Sequence, residues 1–142
     1  MLPLFRSPPG DPPHPLLVAM MLVLGVFVFA GAWLAVATAC NSRVGWMVLL
    51  AALNSIVLLR LVRTHSGTPR ALLAVLVTGA SIALGEWLLA ALPISWQMDQ
   101  SPLQAARRMG LDFSWMLVQL GNTPLDWALV VVAFALAARY GR

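Results

Sequence analysis

The sequence predicts an all-α membrane protein with four transmembrane helices and an amphipathic interfacial helix between the third and the fourth. Three observations carry that reading. Of 142 residues, 61% are hydrophobic and 10% charged, against roughly 45–50% and 25% in an average soluble domain, so a soluble core of this length cannot hide the apolar surface. The apolar residues gather into four stretches separated by polar turns, and each is long enough, or nearly so, to cross a bilayer. All nine basic residues are arginine and stand singly or in pairs near the ends of those stretches. Membrane topology places arginine there, whereas a nucleic-acid-binding domain would gather its basic residues on one face.

Residues 1–15 (MLPLFRSPPGDPPHP) hold six of the ten prolines and read as an extended Pro-rich tail on the cytoplasmic side. Residues 16–142 then form a single transmembrane helical domain. Its first span is expected over 16–39, with Pro15 suited to the first helical position. Gly31, Ala35 and Ala39 recur every fourth residue there, a small-residue ridge that lets helices approach closely. The run before Cys40 is too long for the apolar core of a signal peptide, and another apolar stretch follows a few residues later, so cleavage and lipidation at Cys40 are not expected.

Residues 40–43 form a tight turn, which makes the second span, 44–62, the antiparallel partner of the first. Arg60 and Arg63 mark its end, and Asn54 interrupts it as a candidate interhelical donor. A third span over 70–92 is capped by Thr68 with Pro69 behind it and is expected to stop at Pro93. Thr78, Gly79, Ser81, Gly85 and Glu86 share one arc of this helix, opposite Leu73, Leu76, Leu84 and Trp87.

Ser101-Pro102-Leu103-Gln104 is a capping box that opens the surface helix, expected over 102–120 and anchored at the interface by Trp96 and Trp115. Gly121-Asn122 ends it. Thr123 caps the short fourth span, 124–140, with Trp127 and Tyr140 at its two interfaces. With four spans, Arg6, Arg60, Arg63, Arg70, Arg139 and Arg142 share one side, and Arg43, Arg107 and Arg108 the other. The positive-inside rule then puts both termini in the cytoplasm. Exclusive use of arginine and Ala/Leu-rich spans points to a bacterial inner membrane.

Glu86 is the one acid deep inside an apolar stretch. A charge at a helix centre costs about 2.5–3.5 kcal/mol on insertion scales, so it marks a candidate site. Glu86, Asn54 and Arg43 form the candidate intramembrane polar site: Gly31 leaves room, Asn54 donates, and Arg43 reaches down from the outer turn. No catalytic, metal-binding or cofactor-binding residues are expected. One cysteine excludes an intrachain disulfide and a Cys-based cluster, and His14 and His65 lie apart without ligand spacing. Ser81 and Glu86 do not pair as nucleophile and base, and Asp99, Asp112 and Asp126 lack any hydrolase motif. The expected function is a non-enzymatic accessory or assembly subunit, with the lipid bilayer and a membrane-protein partner or second copy as its contacts. The alternative is a small oligomeric proton- or cation-coupled transporter using Glu86.

Overall fold

A computed structural model describes residues 14–42, 44–62 and 67–141. Six helices follow one another: α1 (Pro15–Cys40), α2 (Met47–Leu61), α3 (Thr68–Gln97), α4 (Pro102–Arg108), α5 (Leu111–Gly121) and α6 (Pro124–Tyr140). The Pro-rich tail, apart from its last two residues, lies outside the described residues, as does Arg43.

The helix ends follow from local chemistry. Pro15 opens α1, where its missing N–H breaks no bond. Asn41 closes it in the left-handed conformation at φ 47°, its N–H directed to the carbonyls of Ala37 and Thr38. Ser101 and Gln104 form a reciprocal capping box on α4, and Thr123 and Asp126 form one on α6. At α3 the cap is Gly67 rather than Thr68, with φ 144° in a region that suits glycine, and Pro69 falls one position further in.

Other expected boundaries moved as well, and α2 begins at Met47 rather than at 44. α3 passes through Pro93 and ends at Gln97, because an exposed proline removes a single N–H bond and longer-range packing holds the following turn in place. The single helix expected over 102–120 is two helices: Met109 is extended at φ −73°, ψ 129°, and Gly110 becomes the N-cap of α5 at φ −67°, ψ 156°. Glycine is well tolerated at a cap and poor inside a helix, which favours the break at that point.

α3 packs against all five other helices, and small residues on it set the distance to three of them. Trp33 of α1 is fully buried and lies on Gly85, where an added Cβ would come within 2.5 Å of its ring. Phe134 of α6 lies over Gly79. Thr78 Oγ1 donates to Ser55 Oγ of α2 at 2.9 Å, both residues being fully buried. Ser55 directs its own hydroxyl to Ala51 O, so neither group lacks a partner. Ala105 and Ala106 press α4 onto Leu88 and Ala91.

These contacts fix direction and register. Ala74 meets Gly141 while Gly79 meets Phe134, so α3 and α6 are antiparallel. Gly45 lies on Asp126 while Arg60 and Tyr140 line a common cleft, so α2 and α6 are parallel. Val26 and Ala80 share a groove and Trp33 covers Gly85, so α1 runs with α3. The result is an alternating bundle, with α4 and α5 packed on the C-terminal part of α3.

Large apolar side chains remain exposed along α1, including Leu16, Met20, Leu24 and Phe27. Half of the apolar window of α3 is buried, against 17% for α1. An apolar surface of that extent has lipid for its solvent. By length and composition α1 and α3 can each cross a membrane, and a third crossing exists if α5 and α6, bent by 105°, make one broken span. α2, with 15 residues, and α6, with 17, are shorter than the roughly 20 residues a simple span needs.

Gly85→Ala is expected to lower stability in detergent by about 1–3 kcal/mol through overpacking against Trp33. Gly31→Ala, at a position where a Cβ meets nothing within 4 Å, is expected to leave it unchanged or slightly raised. Thermal unfolding followed by circular dichroism measures both.

Candidate functional site

Glu86 lines a cavity of about 510 Å³ between α3, α5 and α6. α3 contributes one wall from Gly79 to Trp87, α5 contributes Ser114, Trp115 and Val118, and α6 contributes Trp127 and Val130. The volume falls within the roughly 300–1,000 Å³ typical of small-molecule sites. The described lining is aliphatic and aromatic apart from Glu86, Ser114 and Asn122.

Hydrogen bonds set the shape of this wall. Trp87 Nε1–H donates to Ser114 Oγ at 3.0 Å, and Ser114 Oγ donates in turn to Gly110 O at 3.0 Å. The helix break at Gly110 therefore has a second effect: its carbonyl orients the hydroxyl that anchors the indole. Trp115 and Trp127 meet edge to face, with ring centroids 6.1 Å apart and planes at 70°. α6 begins with Thr123 and Asp126 capping each other, Asp126 Oδ2 accepting from Thr123 N at 2.8 Å.

Of the three sequence-derived candidates, Glu86 and Asn54 fall among the described residues. Glu86 lies at the cavity. Asn54 neighbours Ser55, which the bond to Thr78 places at the level of Thr78 and Gly79. Glu86 is seven residues beyond Gly79, or roughly 10 Å along the helix. Asn54 Nδ2 is buried and makes no hydrogen bond among the described residues. Arg43 lies outside them. Gly31 sits near the level of Glu86, since Trp33 covers Gly85, yet it is exposed and faces away from the bundle. Counting from the turns gives no azimuth, which explains Gly31, and fixes axial register only loosely, which explains Asn54.

Trp87 also departs from expectation. The helical wheel groups it with Leu73, Leu76 and Leu84 on the arc opposite the polar one, but it lines the same cavity as Glu86, because the lining spans a wide arc of α3. Ser114 carried no sequence signal as a site residue. Trp115 and Trp127 read as interface anchors, and their mutual contact depends on the 105° bend between α5 and α6. Among the described residues no three of His, Cys, Asp or Glu converge to hold a metal ion.

Comparison with protein-family profiles, curated proteins and solved structures finds no match to this chain.

Ser114→Ala removes the acceptor of the Trp87 indole and is expected to cost about 1 kcal/mol. Faster amide exchange confined to residues 111–121, measured by hydrogen–deuterium exchange mass spectrometry, is the expected sign of a loosened α5. Unchanged exchange there would mean that α5 is held by its apolar contacts alone.

Proposed function

We propose that this chain is a non-enzymatic accessory or assembly subunit of a bacterial inner membrane, crossing it four times with both termini in the cytoplasm. The topology rests on the six-to-three division of arginines described above. In it α2 and α6 cross as short helices beside α3, with Arg60 and Arg139 near one surface and the bilayer thinning locally to match them.

The observation that supports the assembly role is the position of the small-residue ridge on α1. Gly31, Ala35 and Ala39 are all exposed, although α1 packs on α2 and α3 through its other faces. In lipid, association is driven by close packing rather than by a hydrophobic force, and a ridge of this kind suits another transmembrane helix. The helix it is proposed to receive belongs to a larger membrane-protein partner. A second reading, the proton- or cation-coupled carrier, draws its support from the cavity at Glu86.

Purification from native membranes under mild detergent is expected to recover a stoichiometric partner. Gly31→Leu is expected to reduce that recovery about threefold or more, in keeping with ~0.6–2 kcal/mol for a membrane helix contact, while the isolated chain melts as before. Recovery of the chain alone, together with proton-coupled flux in proteoliposomes that Glu86→Gln abolishes, would favour the carrier instead.

A further inference from the structure

The chemistry of the cavity walls points to a class of ligand. Trp115 and Trp127 present indole surfaces at 70° to each other. Trp87, tied to Ser114, supplies a further indole, and Glu86 lies on the same wall. Indole faces attract cations more strongly than any other aromatic side chain, and a cage of them is suited to an ammonium that has no N–H to donate. The described lining carries one carboxylate and no cationic side chain.

Other occupants fit less well. Divalent cations such as calcium take six to eight oxygen ligands, and this lining offers few oxygens among many carbons. A primary ammonium brings three donors and would leave some of them unmet among apolar walls. A neutral apolar molecule would fill the volume but would gain nothing from Glu86. The preference of tryptophan for the membrane interface accounts for Trp115 and Trp127. It does not account for the anchoring of Trp87 or for a carboxyl among three indoles.

We propose that the cavity between α3, α5 and α6 binds a quaternary ammonium group carried on an apolar body, with Glu86 as counter-charge and Trp87, Trp115 and Trp127 as the cage. The ammonium belongs either to a choline lipid head group or to a free amphiphilic compound. The inference depends neither on transport nor on the ridge of α1.

The test uses the full chain in phosphatidylglycerol nanodiscs, titrated with phenyltrimethylammonium and, in parallel, with its neutral isostere tert-butylbenzene. Saturable binding of the ammonium is expected, without competition from the isostere. Glu86→Gln and, independently, Trp115→Leu at the exposed cavity edge are each expected to weaken it about fivefold or more, the scale of a cation–π contact at an exposed site. Both variants are first checked for an unchanged melting transition, and Trp115→Leu carries the test if Glu86→Gln does not fold. In phosphatidylcholine discs, a weaker apparent affinity identifies the lipid head group as the source, and an unchanged one identifies a free compound; either supports the site. Equal binding of the two probes, or affinity unmoved by the variants that fold, overturns it.

Discussion

Close approach to α3 is the constraint from which the other helices take their positions. Lipid tails are as apolar as leucine, so apolar side chains gain little by leaving lipid for a neighbouring helix. What remains is shape. α3 carries glycine or a small hydroxyl residue where its neighbours come nearest: Gly85 under Trp33, Gly79 under Phe134, Thr78 beside Ser55. An added Cβ at Gly85 would force Trp33 to move, whereas at Gly79 it would meet Phe134 at 3.3 Å and ask for a smaller shift. Leu72 and Leu76 of α3 stay exposed.

The cavity at Glu86 follows from the same arrangement. Phe134 packs closely on Gly79, near the middle of α6, while the first turns of α6 are drawn toward Gly45 through Asp126. α5 meets α3 through Trp87 and Ser114 and then turns by 105° into α6. A gap opens where the bent pair leaves α3, and Glu86 lies within it. The acid is thus placed in a space bounded by indoles rather than in a close-packed seam.

Much of this fold is legible in the residues. Pro15, the Ser101 and Thr123 caps and the Gly121-Asn122 stop mark helix ends by local hydrogen bonding, and those ends fall where the sequence places them. Pro93 and Gly110 misled in opposite senses. A proline weakens a helix by an amount that packing overrides, while a glycine on an apolar stripe also makes a serviceable cap. The arc of Thr78, Ser81 and Gly85 is buried as its periodicity implies. The site was legible only in part. Glu86 stands out by charge alone, but its neighbours come from α5 and α6, which touch it through a bend that no local pattern encodes. Asn54 was matched to Glu86 by depth counted from loop ends, and the Ser55–Thr78 bond sets a register about two turns away from that match.

The register of α2 against α3 is therefore the most direct test of the account. In a Cys40→Ser background, the pair Ser55→Cys and Thr78→Cys is expected to form a disulfide under a membrane-permeant oxidant, since the native oxygens are 2.9 Å apart. The pair Asn54→Cys and Glu86→Cys is expected to remain reduced under the same conditions. Efficient crosslinking of the second pair without the first would contradict the register, and with it the placement of every helix that packs on α3.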